Sequence, residues 1–239
     1  MSPQLSPFDG VLLVDKPAGL TSHDVVDRVR RQFGFKKVGH CGTLDPAATG
    51  LLILVLERAT KLQDRLMSED KTYEGTMLLG VCTDSQDADG RVIAEKTVPP
   101  LTGEEIEAAF AKFRGDIQQV PPMVSAVKHQ GTPLYKLARK GKTVEREPRL
   151  VHIYDLRVLE LALPRIKFRA ACTKGTYVRT LCSDIGDLLG CGAHLSELRR
   201  IRSGKFDVKD THSLEAILQR TREQLREIII PILKLADFV

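Results

Sequence analysis

Apolar residues recur along this chain in two rhythms, one of period two and one near 3.6. Gly10-Val-Leu-Leu-Val14 is a continuous apolar run that ends in Asp15-Lys16-Pro17-Ala18-Gly19, the pattern of a buried strand followed by a turn. Thr21, with Asp24 three residues on, predicts a capping box. The helix it opens carries Val25, Val26, Val29 and Phe33 on one face and arginines on the other, and Gly34 suits its end. Leu51 to Leu56 is a second unbroken apolar strand, preceded by a glycine-punctuated loop from Gly39 to Gly50. A short helix is predicted near Glu57 to Met67.

Further along, Tyr73 to Gly80 and Arg91 to Val98 predict the strands of a hairpin. Thr102 opens a helix over Ile106, Ala109, Phe110 and Phe113 that Gly115 closes. A basic stretch, 128–149, has turn signals at Gly131 and Gly141 with a short helix between them. From Val151 to Cys172 two strands alternate, with Ile166, Phe168, Ala170 and Cys172 on one face. Lys174-Gly175 breaks the second strand, and Val178, Leu181, Cys182, Ile185 and Leu188 then recur at helical spacing. Ala193 to Arg202 reads as a strand and Ser213 onward as helical. Strands and helices mix without strict alternation, so the expected class is α+β, a mixed, largely antiparallel central sheet flanked by helices. No repeat, low-complexity tract or linker divides the 239 residues, and a single domain is expected.

Composition narrows the setting. Apolar residues make up 42% and charged residues 28%, and no apolar run reaches the roughly 20 residues that a transmembrane helix needs. Met1 to Phe8 lack a basic-then-apolar signal pattern, so a cytoplasmic protein is expected. Five cysteines (Cys41, Cys82, Cys172, Cys182, Cys191) form no C-x-x-C pair. An odd, unpaired set argues against a zinc knuckle or a disulfide framework and for reduced thiols packed as small hydrophobes.

Net charge is only +5, but its distribution is uneven. Arg28 to Lys37 holds five basic residues and no acid, Lys128 to Arg149 seven against two, and Arg199 to Lys209 five against one. Local basic surfaces on a nearly balanced chain suit a polyanion partner. Ser85-x-Asp87-x-Asp89-Gly90 superficially resembles a calcium loop. Ser85 and Lys96 stand where an EF-hand needs acids, so a hairpin turn is the better reading.

The loop from Gly39 to Gly50 presents His40, Thr43 and Asp45 between two apolar segments, with Pro46 stiffening the chain after Asp45. Catalytic groups are often held this way, although Asp-Pro also begins ordinary turns. The run G-H-x-G-T-L-D-P-x-A-T-G resembles the signature loop of the TruB family of pseudouridine synthases. Asp15-Lys16-Pro17 is similar to that family's early turn, Lys71-Thr-Tyr73 to its second motif, and Lys174-Gly-Thr-Tyr-Val-Arg-Thr180 to its third. Gly190-Cys-Gly-Ala-His-Leu-Ser-Glu-Leu-Arg-Arg200 resembles its closing strand, and all stand in the family's order over about residues 10 to 205.

The resemblance implies a cofactor-free and metal-free isomerase that converts the T-loop uridine of tRNA (position 55) to pseudouridine. That reaction breaks the ribose C1′ to N1 bond, rotates the base and joins C1′ to C5. A carboxylate nucleophile serves such a step, and the resemblance gives that role to Asp45, attacking either sugar or base. It pairs Arg179 with Asp45, and a guanidinium opposes the pKa rise that a dry pocket imposes on a carboxylate. Tyr73 is implied as the residue stacked on the target base, with removal of the C5 proton a second possible role. An intrinsic pKa near 10 makes tyrosine a poor base at neutral pH. Tyr177, Lys16 and Leu198 match pocket-lining or pocket-supporting positions, and His40 the residue that fills the stack once the base is flipped out, a step costing a few kcal/mol. The basic segments would grip phosphates, with about 120–150 as an RNA-clasping insertion.

Two departures from the family pattern stand out. Val124 follows Pro121-Pro122-Met123 where a tyrosine is usual, and the chain ends at Val239 without the RNA-binding PUA domain that commonly follows. A monomer acting on the tRNA T-arm is expected. The alternatives are a guide-RNA-dependent synthase subunit, a non-catalytic tRNA-folding chaperone and a base-releasing glycosylase.

Overall fold

The computed structural model describes residues 6–125 and 127–238; Met1–Leu5, part of the stretch read for a signal pattern, lies outside the described residues, as do Ala126 within the basic insertion and Val239. Along the chain come β1 (Gly10–Lys16), α1 (Ser22–Phe33), β2 (Val38–His40) and β3 (Thr49–Leu56), then a 3-10 segment (Glu57–Leu62) running into α2 (Gln63–Met67). β4 (Lys71–Leu79), β5 (Val81–Thr83), β6 (Val92–Glu95), α3 (Gly103–Ala111) and β7 (Gly115–Gln119) follow. Next are the short pair β8 (Lys128–His129) and β9 (Thr132–Pro133), α4 (Leu134–Ala138), β10 (Arg149–Ala162), β11 (Arg165–Cys172), α5 (Val178–Leu188) and β12 (Ala193–Ser203). β13 (Phe206–Asp207), β14 (His212–Ser213), α6 (Leu214–Leu218), α7 (Arg222–Ile228) and β15 (Ile230–Pro231) complete the order, before a last 3-10 segment (Ile232–Phe238). The α+β class with a mixed, largely antiparallel sheet is what the chain adopts.

Two compact units emerge, Met1–Tyr73 with Arg199–Val239, and Glu74–Leu198. In the first, the strand order is β14-β1-β3-β12. β1 and β3 are antiparallel with Gly10 opposite Leu56 and Lys16 opposite Gly50, whereas β3 and the end of β12 are parallel, with Arg200 opposite Gly50. β3 reads as an unbroken apolar run because both of its faces are covered. Leu51, Ile53 and Val55 enter a core with Val11, Leu13, Cys41 and Phe206, and Leu52, Leu54 and Leu56 are equally buried. Each such side chain contributes about 1.5–3 kcal/mol. The capping box at Thr21 forms as predicted, Val25, Val26, Val29 and Phe33 are buried, and Gly34 ends α1 at φ 63.

In the second unit the order is β12-β4-β11-β10-β7. Ile166, Phe168, Ala170 and Cys172 all point inward, as their alternation predicts. α3 packs on β10 and α5. The predicted hairpin partner of Tyr73–Gly80 is corrected, because β6 pairs with β5 in a separate two-stranded ribbon. Gly80, at φ 86, turns the chain after β4 and lets the three-residue β5 take β6 instead. Nor does the helix opened by Thr102 reach Phe113, since α3 ends at Ala111 and Gly115 begins β7. The segment from Ser213 is two helices rather than one, because Thr221 starts a new capping box with Gln224. Within the basic stretch, α4 lies between Gly131 and Gly141 as expected. The Ser85–Gly90 segment is the predicted turn, joining β5 to β6. Among the described residues no helix is long and apolar enough to cross a membrane. All five cysteines are free thiols, four of them buried.

Candidate active site

In the first unit, the loop that carries Asp45 is fastened from three sides. Ser22, at the start of α1, accepts from the Leu44 amide at 2.8 Å and donates to the Leu44 carbonyl at 3.3 Å. Lys16, at the end of β1 and fully buried, donates to the carbonyls of Pro17 at 2.9 Å, Leu20 at 2.6 Å and Pro46 at 3.1 Å. Those three contacts use all three ammonium donors, so Lys16 ties the turn after β1 to the residue next to Asp45. Burial draws its pKa down from 10.5 to about 8, opposed by the charges of Asp45 and Asp24. The Gly19 amide adds a backbone bond to Pro46 at 2.9 Å, and Asp45 itself is half-buried.

The third fastening is Arg200. It is 1% exposed, donates to the carbonyl of Leu51 at 2.7 Å and to that of Gly42 at 3.1 Å, and makes no ion pair with a carboxylate among the described residues. One guanidinium therefore pins both shoulders of the loop. Gly50 allows the close approach: it sits at φ 97, and a Cβ there would lie 2.3 Å from the Arg200 carbonyl oxygen. Alongside, Arg199 holds both carboxylate oxygens of Asp15, at 2.9 and 2.7 Å.

His40 is not on the loop but in β2, opposite Leu54. Burial and the charges of Arg200 and His23 hold its pKa below the ordinary histidine value, and its Nδ1 is buried without a hydrogen-bond partner. It is therefore a neutral, flat ring at neutral pH. Tyr73, half-buried, is the third residue of β4. Lys71, two residues earlier, is buried and donates to the carbonyls of Met67 and Glu69.

In the second unit, Arg179 is the second residue of α5 and is 4% exposed. It donates to the Val124 carbonyl at 2.8 Å and pairs with Asp87 at 3.3 Å. Asp87 is itself held by the Ser85 hydroxyl at 2.5 Å and the Asp89 amide at 3.2 Å. The contact at Val124 is made by backbone, so it does not depend on the side chain that departs from the family pattern. Tyr177 forms the N-cap of α5. The Gln119 side chain brackets its backbone, accepting from the amide at 2.7 Å and donating to the carbonyl at 3.0 Å. Leu198 is half-buried in β12.

The comparisons with known proteins show the family of the chain. The N-terminal domain of TruB family pseudouridylate synthases matches residues 30–178, and the tRNA pseudouridylate synthase B C-terminal domain matches 179–235. The chain belongs to the TruB family. It is therefore an enzyme of the pseudouridine synthase class, an isomerase. The second match corresponds to a stretch that the sequence reading treated as the closing part of one domain.

Among TruB relatives, tRNA pseudouridine synthase B of Opitutus terrae is 54% identical over 232 residues, 97% of this chain and 96% of that protein. The protein of the same name from Syntrophotalea carbinolica is 49% identical over 225 residues, 94% and 74% of the two chains. Among solved structures, a Cbf5-Nop10-Gar1 complex matches with a TM-score of 0.78 at 31% identity, over 98% of this chain and 63% of that one. An H/ACA RNP bound to a substrate RNA containing 2'-deoxyuridine matches at 0.74 and 29%, over 97% and 62%. The chain thus spans less than two thirds of those structural relatives.

Three residues take parts that the sequence pattern does not assign them, and one is a correction: Arg200, counted in the basic segment 199–209 expected to grip phosphates, is buried against the Leu51 and Gly42 carbonyls. Arg200 stands inside a recognised motif but carries no signal that it turns inward. Asp87 was read only as part of a turn, and Gln119 as nothing in particular. Among the described residues, no group of three or more His, Cys, Asp and Glu could hold a metal ion.

Proposed function

We propose that this chain isomerises the T-loop uridine of tRNA to pseudouridine, with Asp45 as the nucleophile. What carries the reading is the clamped loop, with Asp45 presented between Leu44, bound by Ser22, and Pro46, bound by Lys16. Such fixing of a reactive group matters because a displacement of about 1 Å can cost about a hundredfold in rate. Asp45 either forms a covalent adduct, whose bond to the carboxylate breaks again before the product leaves, or stabilises the separated base and sugar. The C1′–N1 bond breaks, the base turns, C1′ joins C5, and the proton lost at C5 is balanced by one gained at N1. No oxidant, metal or energy source enters this balance.

Around Asp45 the remaining residues take supporting parts. The family resemblance gives Arg179 the part of partner to that carboxylate, and a guanidinium beside a carboxylate favours its ionised form. Tyr73 stacks on the flipped uracil, Tyr177 and Leu198 line the pocket, and Lys16 supports it from beneath the loop. His40, being neutral and flat, fills the vacated stack without the desolvation penalty of a charged ring. The chain works as a single catalytic domain in this reading, and residues 120–150, with α4 between two glycine turns, clasp the RNA. The protein acts as a monomer in the cytoplasm. Stand-alone action is favoured by the Opitutus relative, 54% identical and matched over 96% of its length, against 31% identity and 63% of the matched chain for the Cbf5-Nop10-Gar1 complex.

Unmodified tRNA treated with the protein alone, then mapped by carbodiimide adducts and primer extension, should show one new stop in the T-loop. A stop elsewhere would refute the assigned position, and no stop would refute the activity.

A further inference from the structure

A cleft of about 430 Å³ opens at the other end of β1 from Lys16. It lies wholly within the first unit. β1 runs from Gly10 beside the cleft to Lys16 beneath the Asp45 loop, a span of about 20 Å at 3.3 Å per residue. The cleft is therefore separate from the site already described. Its walls include Lys36, Lys37, Arg58, Lys61 and Arg222, against only two acids, Asp9 and Glu57.

Both acids are already used. Asp9, 3% exposed, accepts from the amides of Ser6 at 2.7 Å and Arg58 at 3.1 Å, and Glu57 accepts from the Lys36 amide at 2.8 Å. Lys36, Lys37, Lys61 and Arg222 make no ion pair with any carboxylate among the described residues. Asp9 is also ion-paired with Arg58 at 3.7 Å, so Lys36, Lys37, Lys61 and Arg222 share the concavity with Glu57 as the one carboxylate not ion-paired there, a clear excess of positive charge. The arrangement is also held in place. Arg222 lies over the rings of Phe8 at 4.6 Å and Phe35 at 5.4 Å, which orients its planar fork of donors. Glu57 is held at φ 50, a left-handed backbone outside glycine, and so turns the chain out of β3 into the 3-10 segment that carries Arg58 and Lys61.

We propose that this cleft is a second phosphate-binding site, which takes consecutive phosphodiesters of the same RNA that delivers its uridine to Asp45. The proposal rests on the function proposed above. Unneutralised lysines and an oriented guanidinium suit phosphate oxygens. A base-reading site is disfavoured, because stacking needs an open aromatic face and Arg222 already covers that of Phe8. The site therefore reads backbone and not sequence. Lys61 and Arg222 stand outside the basic runs of the sequence and join Lys36 and Lys37 only through the fold.

The test is a salt titration of binding to full-length unmodified tRNA, comparing wild type with Lys36→Gln/Lys37→Gln/Lys61→Gln. Each lost phosphate contact flattens the slope of log K against log salt by about 0.7–0.9. The triple variant should therefore lose about 2–3 from the slope and bind about 10- to 100-fold more weakly at low salt. A control, Lys96→Gln/Lys112→Gln/Lys167→Gln, removes the same charge from exposed positions elsewhere and should keep the wild-type slope. An unchanged slope in the cleft variant, or an equal loss in the control, would overturn the proposal. So would displacement of labelled ATP from wild type but not from the cleft variant while the tRNA slope stays fixed, since the ligand would then be a free polyphosphate. If the triple variant melts below wild type, Lys36→Gln and Lys61→Gln are read singly, each expected to flatten the slope by about 0.7–0.9. Binding is read without turnover, so a wild type that binds with this slope but forms no pseudouridine refutes the function and not the cleft.

Discussion

Replacing Arg200 with lysine isolates what the buried guanidinium does for the catalytic loop. The substitution keeps the positive charge, so the desolvation cost of burying it remains. What is lost is the fork that reaches the Leu51 and Gly42 carbonyls together, at 2.7 and 3.1 Å. Hydrogen bonds from a charged donor contribute about 1.5–3 kcal/mol each. An ammonium placed to keep one of them leaves the other carbonyl buried and unsatisfied, at a further cost of about 1–3 kcal/mol. The expected loss is therefore about 2.5–6 kcal/mol, a fall in Tm of roughly 5–24 °C for a chain of this size. The freed shoulder at Gly42 lies three residues from Asp45, so turnover should fall about 10- to 100-fold with KM little changed. Urea denaturation and single-turnover kinetics on unmodified tRNA measure the two effects. A variant within about 1 kcal/mol of wild type and equally active would refute the reasoning, because Arg200 would then be filler and not a clamp.

Gly50→Ala should be as damaging by another route, since its Cβ would lie 2.3 Å from the Arg200 carbonyl at a φ of 97; a loss above about 3 kcal/mol in thermal melts is expected, and a wild-type Tm would count against the packing described. Asp87→Asn removes the ion pair from Arg179 while leaving the Val124 contact, and should lower stability by about 1–3 kcal/mol and reduce turnover more than tRNA affinity. Burial holds Lys16 and Lys71 near a pKa of about 8, below the ordinary 10.5. Between those values the unfolded chain binds more protons, so stability rises with pH, on the order of 1 kcal/mol per lysine from pH 7 to 9. Above pH 9 the effect is opposed by Cys41, whose thiol is pushed up to about 12 by burial. Urea midpoints from pH 7 to 9 should show the rise in wild type and about half of it in Lys71→Met; parallel profiles would contradict the assignment.

Local signals were legible where one residue type had one physical job. Thr21 with Asp24, the period of Val25 to Phe33, and the alternation through Ile166 to Cys172 all mark elements that form as read. Strand partners were less legible, because pairing depends on where the chain turns. Val81–Thr83 is too short to register as a strand, yet it takes the partner expected for β4. Phe113 continued a helical spacing that the backbone abandons at Ala111. The Asp45 loop was legible as a motif, but its fastenings were not: Arg200 reaches Gly42 across 158 residues of sequence, and Asp87 meets Arg179 across 92. Such contacts leave no periodic trace, since the fold alone makes them neighbours.

The central claim is that Asp45 drives isomerisation of a uridine in tRNA. Unmodified tRNA tritiated at C5 of uridine, incubated with wild type and with Asp45→Asn and without added cofactor, metal or guide RNA, tests it most directly. Release of tritium by wild type and none by a variant that still folds and binds tRNA is the predicted result. Equal release from both would contradict the role of Asp45, and no release from wild type despite tight binding would contradict the function itself.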